Sequence, residues 1–293
     1  MCSPSDPPSP SSGFRACGSG EGGRTPYRGR LAPTPTGFLH AGHAATFRTA
    51  FQRAEAAAGT LVLRIEDLDP VRCRQDYAAA AIEDLEWLGI RWSGAPVYQS
   101  SRRQLYLAAW QTLRDAGWIY PCHRSRKDVA LASLAPHGDE PLFPVEWRTD
   151  PGASSAFESP AGVNWRFRVP AGETLRFIDG HLGPVEKVSQ KDFGDFIVWN
   201  RDNVPAYELA VVVDDLAMDI TEVVRGADLV TSTARQLLIF RALGALPPRY
   251  FHCPLLVDAD GRRLSKRGGS PALRDLRAAG LTPDEVLASG RAL

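Results

Sequence analysis

The run Leu61-Val62-Leu63-Arg64-Ile65-Glu66-Asp67-Leu68-Asp69-Pro70 decides how the chain folds. Its apolar first half is typical of a buried strand, and its acidic second half is typical of the turn that ends one. Apolar residues recur at helical spacing before it, at about 43–58, and after it, at about 76–88. Gly59 and Gly89 stand where a glycine commonly ends a helix. Alternating strands and helices of this kind predict a parallel α/β sheet.

The pattern continues on both sides of this core. A short strand-like run opens at Tyr27, and a third helix is predicted at about 101–116, with Gly117 at its end. The rhythm then breaks at about 120–191, a stretch rich in Pro and Gly that contains strand-like pieces. This interruption predicts an inserted subdomain of mixed α and β structure.

The α/β pattern resumes after the insertion. Three apolar segments carry it: 196–199, 207–213 and 220–224. A helix is predicted at about 233–243, with Thr231 or Ser232 as its capping residue. The expected organisation is a disordered tail (1–26), the first half of an α/β domain (27–119), the insertion (120–191), the second half (192–250) and a C-terminal segment (251–293).

Composition excludes several classes of protein. The 293 residues include 34 Lys and Arg against 34 Asp and Glu, so the chain does not carry the blanket positive charge of a protein that coats nucleic acid. No apolar run approaches the roughly 20 residues of a membrane helix, and the tail lacks the apolar centre of a signal peptide. Five cysteines are scattered without CxxC spacing, which fits a reducing compartment. We therefore expect a cytoplasmic, monomeric protein without a membrane partner.

The first motif with chemical meaning is Gly37-Phe38-Leu39-His40-Ala41-Gly42-His43, at a strand-to-helix junction. A helix N-terminus offers N–H groups and a positive dipole end to phosphates. Gly42 lacks the Cβ that would keep an adenine ring off the backbone. His40 and His43 can donate hydrogen bonds to charge that develops on the phosphates. The motif indicates a nucleotide triphosphate site, although a loop that merely contains two histidines is the alternative.

The second motif is Arg263-Leu264-Ser265-Lys266-Arg267-Gly268-Gly269, close to the end of the sequence. A glycine-flanked loop with three cations suits the pyrophosphate that leaves in a nucleotidyl transfer. Taken alone, the string is more often a solvated basic loop. The two motifs lie on either side of an interrupted α/β fold, and together they indicate a nucleotidyl-transfer site far more specifically than either does alone.

These two motifs resemble the HIGH and KMSKS signatures of the class I aminoacyl-tRNA synthetases. The flanking sequence is similar to the glutamyl branch of that family, whose RFAPSPTG opening matches residues 30–37 and whose RIEDLD matches 64–69. Residues 207–215 are similar to YNLAVVVDD, and 224–229 match VRGADL. The resemblance covers residues 27 to about 270. It implies a Rossmann-like parallel sheet, split by an inserted subdomain that corresponds to the family's acceptor-binding part.

Within this branch the sequence resembles the short paralogues, the glutamyl-Q tRNA(Asp) synthetases. Only 26 residues follow Arg267, too few for the large helical anticodon-binding domain of a full glutamyl-tRNA synthetase, and we expect none. The short paralogues activate glutamate with ATP and transfer it to the queuosine base at the wobble position of tRNA(Asp). The resemblance therefore implies L-glutamate, ATP and queuosine-containing tRNA(Asp) as substrates, with Mg²⁺ as the counter-ion of ATP.

The resemblance also implies the site residues. Glutamate is expected to contact Arg30, Leu31, Ala32, Pro33, Thr34, Glu66, Tyr207 and Arg225. ATP is expected to contact His40, Gly42, His43, Leu264, Ser265 and Lys266, of which His40, His43 and Lys266 are the expected catalytic residues. The chemistry agrees, because glutamate needs one anion for its ammonium, here Glu66, and two cations for its carboxylates, here Arg30 and Arg225. Which arginine holds which carboxylate stays open.

The sequence departs from the pattern of the short paralogues at the residues that bind zinc in many of them. Many short paralogues carry a zinc site of the form YxCxCSR…YPGxCR, whereas the matching segments here read Tyr120-Pro121-Cys122-His123-Arg124-Ser125-Arg126 and Phe143-Pro144-Val145-Glu146-Trp147-Arg148. Arg124 and Trp147 stand where two thiolates are expected. A tetrahedral site needs four N or S ligands. We therefore predict that this chain binds no zinc.

Three other functions remain open at this stage. A truncated glutamyl-tRNA synthetase would charge the 3′ end of a tRNA, and a small-molecule nucleotidylyltransferase would share the HxGH motif. A tRNA-binding protein without activity is the third. The predicted mechanism is two-step ligation through glutamyl-adenylate, which requires no Ser, Cys or Lys nucleophile.

Overall fold

The computed structural model describes residues 25–124, 128–129, 142–255 and 271–292. Its strands in chain order are β1 (Arg28–Leu31), β2 (Thr60–Ile65), β3 (Val97–Tyr98), β4 (Ile119–Cys122), β5 (Asn164–Phe167), β6 (Thr174–Asp179), β7 (Gly183–Val188), β8 (Ile197–Trp199), β9 (Glu222–Gly226) and β10 (Arg249–Cys253). Its α-helices are α1 (Ala41–Ala56), α2 (Gln75–Trp87), α3 (Arg103–Asp115), α4 (Tyr207–Ala217), α5 (Val230–Ala242), α6 (Leu273–Ala278) and α7 (Pro283–Ala292). None of the helices in these ranges combines the length and the apolar character needed to span a bilayer.

Two groups of parallel strands form the centre of the fold. In one, β2 pairs with β1 on one side and β3 on the other; in the second, β10 pairs with β9 and β6, and β7 joins β6 antiparallel. The backbone N–H of Thr221, just before β9, donates to the carbonyl of Arg28 at 2.8 Å. The two groups therefore lie side by side with β1 next to β9. The predicted parallel α/β sheet is confirmed.

The point where β1 meets β9 has functional meaning. From β1 the chain builds outward to β2 and β3, and it later returns to the other side of β1 to build β9 and β10. In open α/β sheets ligands bind at such a switch point, in the crevice beyond the carboxyl ends of the strands.

A third, antiparallel sheet has the order β4-β5-β8. The sequence placed 174–179 in the insertion, yet β6 pairs with β10 in the central group, where Asp179 is in register with Tyr250. Conversely β8, placed in the second half of the α/β domain, pairs with β5. The predicted division at residue 191 therefore does not coincide with the division between sheets, because strand partners are chosen by tertiary packing and not by local sequence.

Two of the three glycines predicted to end helices have the expected backbone conformation, and the third does not. Gly89 and Gly117, just after α2 and α3, have positive φ values of 69° and 73°, as a terminating glycine requires. After α1 the positive φ belongs to Ala58 instead. A Cβ on Gly59 would lie 2.5 Å from the carbonyl oxygen of Tyr27, so this glycine is needed for close packing and not as the left-handed cap.

The predicted cap of α5 is wrong. The helix begins at Val230 after Leu229, without a side-chain cap. The Ser232 hydroxyl instead donates to Glu208 on α4, at 2.9 Å. It therefore joins α5 to α4 and does not cap α5. The apolar segment 207–213 lies in helix α4, of which most residues are buried between α3, α5 and β8.

Candidate active site

A cavity of about 310 Å³ lies at the carboxyl ends of β1, β2 and β9. Six of the eight residues predicted to bind glutamate line it: Arg30, Ala32, Thr34, Glu66, Tyr207 and Arg225. The other lining residues are Thr46, Phe47, Val224, Gly226 and Leu229. Leu31 instead points into the hydrophobic core, and Pro33 contributes its carbonyl, which accepts the Glu66 N–H at 3.0 Å. The structure thus gathers side chains that are far apart in sequence at the switch point of the sheet.

Arg225 is a buried cation whose hydrogen bonds go to neutral groups. Its Nη2 donates to Thr233 Oγ1 at 2.6 Å and its Nη1 to the Tyr207 hydroxyl at 3.3 Å. Its Nε donates to His252 Nε2 at 3.3 Å. Burial works to lower the pKa of Arg225, but nearby Tyr207 and acidic groups outweigh this and raise it, so the guanidinium stays charged. A buried charge that meets no carboxylate within hydrogen-bond distance in the described part of the chain favours an anionic ligand.

Arg30 is the second buried cation beside the cavity. Its Nη1 donates to the carbonyl of Val224 at 2.8 Å, which ties β1 to β9. Its Nε lies 3.8 Å from Oδ1 of Asp215 and has no hydrogen-bond partner among the described residues. Burial lowers the pKa of the guanidinium, and Asp215 opposes this effect. Arg30 is therefore held near the cavity with part of its hydrogen-bonding capacity unused.

Glu66 is the carboxylate of the cavity. Its Oε1 accepts from Arg64 Nη2 at 3.3 Å, and its Oε2 accepts from the Thr34 hydroxyl at 3.4 Å. Burial raises the pKa of this carboxyl above its ordinary value, while Arg64 and Arg30 work to lower it. Both contacts are long for hydrogen bonds, so the oxygens keep capacity for a further donor such as an ammonium.

A buried ionic network lies beneath the cavity, and the sequence reading missed it. Arg64, fully buried on β2, donates its Nη1 to Asp215 Oδ1 at 2.7 Å. Asp214 accepts from Arg102 Nε at 2.6 Å and from Tyr106 and Gln99 at 2.9 and 2.7 Å. The signal was present, since an Asp-Asp pair that ends an apolar run and an arginine within a buried strand both require partners.

The two histidines of the first motif form the N-terminal cap of α1. His40 Nδ1 accepts the Gly42 N–H at 3.1 Å, and His43 Nδ1 accepts the His40 N–H at 3.2 Å. Because each Nδ1 acts as an acceptor, the neutral rings carry their hydrogens on Nε2. The ring centroids are 3.8 Å apart. A Cβ on Gly42 would lie 2.9 Å from Cε1 of His40, so the glycine makes room for the capping imidazole.

The segment after the second motif is joined to the first. The N–H of Leu273, the first residue of α6, donates to the carbonyl of Leu39 at 2.8 Å, and Leu273 is fully buried. The Arg274 guanidinium lies 4.5 Å from the centre of the Phe38 ring. Leu264, Ser265 and Lys266 lie outside the described residues, so their position relative to the cavity is a prediction.

The two positions expected to hold thiolates are in contact with each other. The Arg124 guanidinium lies 4.6 Å from the centre of the Trp147 ring, and Trp147 packs edge-on against Phe143. Cys122 is buried in the same cluster with Tyr120. Among the residues that the structure describes, no group of three His, Cys, Asp or Glu could hold a metal ion. His137 lies outside them.

Comparison with known proteins shows that the chain is similar to one family of enzymes. The family model for the catalytic domain of the class I tRNA synthetases (E and Q) matches residues 27–288. The chain is 43% identical over 266 residues to the glutamyl-Q tRNA(Asp) synthetase of Nitratidesulfovibrio vulgaris, covering 87% of this chain and 82% of that one. It is 38% identical to the glutamate-tRNA ligase of Burkholderia vietnamiensis, where it covers 89% of this chain but 56% of the relative.

A solved structure agrees with these matches. The crystal structure of a glutamate tRNA ligase from Elizabethkingia meningosepticum in complex with its amino acid superposes with a TM-score of 0.72 at 27% identity. The match covers 83% of this chain and 52% of that one, so the chain spans about half the length of this ligase.

Proposed function

The chain belongs to the class I tRNA synthetases (E and Q), which makes it a ligase, and we propose that it activates L-glutamate with ATP and transfers it to queuosine in tRNA(Asp). The observation that carries the proposal is the cavity at the switch point. It sets two buried arginines against one buried carboxylate around a volume of about 310 Å³, at the lower end for small-molecule sites. One ammonium and two carboxylates are the charges that such a site complements.

The roles of the cavity residues follow from their contacts. Arg225 binds one carboxylate, because its hydrogen bonds to described residues all go to neutral groups. Since the Tyr207 oxygen accepts from Arg225, its own hydrogen is available to the same carboxylate. Glu66 takes the ammonium, with Thr34 beside it. Arg30 binds the other carboxylate at the β1 side of the cavity.

The first chemical step is attack by the glutamate α-carboxylate on the α-phosphorus of ATP, with pyrophosphate as the leaving group. His40 and His43 stand at the positive end of α1 with their Nε2–H groups as donors, so they stabilise charge that develops on the phosphates. Lys266 stabilises the departing pyrophosphate. In the second step a hydroxyl of the queuosine cyclopentenediol attacks the glutamyl carbonyl and AMP leaves.

Magnesium is expected with ATP, as in other enzymes that transfer phosphate groups. The phosphates of the nucleotide would hold the ion. No step above depends on a protein-bound metal.

The first test is ATP–pyrophosphate exchange with each amino acid in the absence of tRNA. We expect exchange with glutamate alone. Exchange that needs no amino acid, or that responds to another one, contradicts the proposal and points to a different nucleotidyl transfer.

The second test asks where the glutamate goes. Radiolabelled glutamate is offered with tRNA(Asp) that contains or lacks queuosine, and the product is digested to separate the anticodon fragment from the 3′ fragment. We expect label on the anticodon fragment of the queuosine-containing tRNA only. Label on the 3′ fragment supports the second candidate, a glutamate-tRNA ligase, which the similarity to the Burkholderia vietnamiensis enzyme favours.

A further inference from the structure

The guanidinium of Arg225 is held from behind by residues that do not line the cavity. His252, on β10, accepts the Arg225 Nε–H on its Nε2 at 3.3 Å, and Thr233, on α5, takes an Nη2–H at 2.6 Å. Both side chains are fully buried. His252 Nε2 also lies 3.0 Å from the Thr233 hydroxyl, so the three groups form one connected cluster.

The hydrogen bond from Arg225 fixes the protonation of His252. An arginine Nε is a donor only, so His252 Nε2 must be without a hydrogen. The neutral ring therefore carries its hydrogen on Nδ1, where it lies 2.6 Å from Oδ2 of Asp179 on β6. Burial and the neighbouring Arg225 lower the pKa of His252, which keeps the ring neutral.

The other oxygen of Asp179 is committed to the backbone. Oδ1 accepts the N–H groups of His181 and Leu182 at 2.9 Å each, and the N–H of His252 lies 3.2 Å from both Oδ1 and Oδ2. Burial works to raise the pKa of this carboxyl, but these backbone donors outweigh it and lower the pKa, so the group is ionised. Asp179 thus presents an acceptor to the imidazole and no donor.

Among the described residues, three charged groups act on the imidazole. β6 contributes Asp179, β9 contributes Arg225, and β1 contributes Arg30 at longer range. On its own strand the phenol ring of Tyr250 stacks 6.0 Å away, and α5 presents the uncharged Thr233. Asp179 and Arg225 are therefore the groups that set the orientation of the ring.

From this geometry we propose that His252 is a positioning residue: Asp179 holds it in its Nδ1–H form so that its Nε2 aims Arg225 at a ligand carboxylate. The proposal rests on the proposed function, in which that ligand is glutamate. His252 does not touch the substrate. Its effect is to remove alternative orientations of the guanidinium, so the contact with the carboxylate forms without further ordering.

Asp179→Asn tests the proposal with almost no change of shape. The N–H groups of His181 and Leu182 keep the amide oxygen at the Oδ1 position, so the amide NH₂ faces the imidazole. His252 then accepts on Nδ1 and carries its hydrogen on Nε2, opposite the Arg225 Nε–H. Because two donors then face each other, the hydrogen bond between Arg225 and His252 is lost. We expect the Kd for glutamate to rise about tenfold and the Kd for ATP to stay unchanged. Nitrogen-15 NMR of the imidazole should report the change of tautomer.

Two variants of the histidine form a matched pair. His252→Gln keeps an amide oxygen near the position of Nε2, so it should largely preserve glutamate binding. His252→Asn places its amide near the position of Nδ1 and cannot reach Arg225, so it should bind glutamate about as weakly as Asp179→Asn. If His252 serves folding alone, both variants should lose stability to the same extent, and their affinities for glutamate and for ATP should fall equally. That result would overturn the proposal.

Arg225→Lys separates this proposal from the proposed function. A lysine keeps the charge but not the planar set of donors, so glutamate binding should fall. If Arg225→Lys weakens glutamate binding and Asp179→Asn does not, the positioning role is wrong and the proposed function stands. If Arg225→Lys binds glutamate as the wild type does, the proposed glutamate site itself is wrong.

Discussion

Arg64 and Asp215 form a buried ion pair in which Nη1 of the arginine donates to Oδ1 of the aspartate at 2.7 Å. The same Oδ1 lies 3.8 Å from Nε of Arg30, and Arg64 also reaches Glu66. One aspartate on α4 therefore supports the cation on one side of the cavity and, through Arg64, the carboxylate on the other. The charges that glutamate is proposed to meet are held by a pair that it does not contact.

Asp215→Asn should destabilise the protein and weaken glutamate binding together. The amide removes the anion that Arg64 contacts at 2.7 Å and that lies 3.8 Å from Arg30, while Glu66 stays in contact with Arg64. The loss of one partner of a buried pair costs about 3 kcal/mol of unfolding free energy. Chemical denaturation gives the free energy, and calorimetry gives the glutamate affinity. Asp76→Asn makes the same change in the exposed pair with Arg74, where solvent screens the charges, and should change the free energy of unfolding far less. Equal losses in both variants would contradict this account.

Glu66→Gln should weaken glutamate binding about thirtyfold, because an amide cannot neutralise the ammonium that it meets in a buried site. The affinity for ATP should not change. Glu208→Gln is the matched control, since Glu208 is also buried, with its oxygens on Ser232 and Gln236 outside the cavity. Wild-type glutamate affinity in Glu66→Gln would remove this residue from the site.

Lys266→Ala should lower the rate constant of glutamate activation about a hundredfold, or about 3 kcal/mol, with little effect on binding of either substrate. The reason is that its ammonium matters chiefly once charge develops on the departing pyrophosphate. Pre-steady-state measurement of adenylate formation separates the rate constant from the dissociation constants. Arg263→Ala removes a neighbouring cation, and the same loss in both variants would mean that the loop acts only by its net charge.

Asp84 makes stability depend on pH. This aspartate on α2 is buried, its Oδ2 has no hydrogen-bond partner among the described residues, and burial raises its pKa to about 6, against the opposing effect of Arg277. The folded state therefore binds this proton more tightly than the unfolded chain, whose pKa is 3.8, and the contribution to stability is lost as the pH rises through 6.

Asp84→Asn should accordingly raise the free energy of unfolding by about 2 kcal/mol at pH 8. The two proteins should converge as the pH falls toward 4, because the wild-type carboxyl is then protonated. Denaturation curves across this range measure the difference. Glu83→Gln changes the exposed neighbour and should give no such trend. If Asp84→Asn raised the free energy of unfolding equally at every pH, the cause would be packing and not the ionisation of Asp84.

The purified protein should contain no stoichiometric zinc and should keep its activity after chelation. Arg124 and Trp147 stand at the positions of two expected ligands and contact each other at 4.6 Å. Elemental analysis and an assay after chelation measure both quantities. Trp147→Phe should preserve more of the thermal stability than Trp147→Ala, because an aromatic ring still packs against Phe143. Zinc whose removal abolishes activity would indicate other ligands, such as His123 or His137 with Cys122.

The sequence predicted what is encoded locally. The strand that ends at Ile65 and the helix ends at Gly89 and Gly117 depend on hydrophobic spacing and on backbone preferences that a few residues determine. The cavity residues were predicted by similarity to family motifs, and six of them lie together in the structure. Their substrate roles stay predictions.

What the sequence did not predict depends on partners far along the chain. Ser232 suits a helix cap, but Glu208 on another helix takes its hydroxyl. The strand at 174–179 has no local sign that it pairs with β10. The network of Arg64, Asp214 and Asp215, and the contact of His252 with Arg225, also join distant segments. Buried charged residues indicate that partners exist, but only the fold identifies them.

The hydrogen bond between Leu39 and Leu273 has a consequence for synthesis of the protein on the ribosome. Leu39 lies far before Leu273 in the chain, so the ribosome makes it long before its partner. The nascent chain can form β1, α1 and β2 before Leu273 is available to donate to Leu39. We therefore expect a chain that stalls before Lys266 is made to fold its first strands and helices yet fail to form adenylate, so that such a chain does not consume ATP.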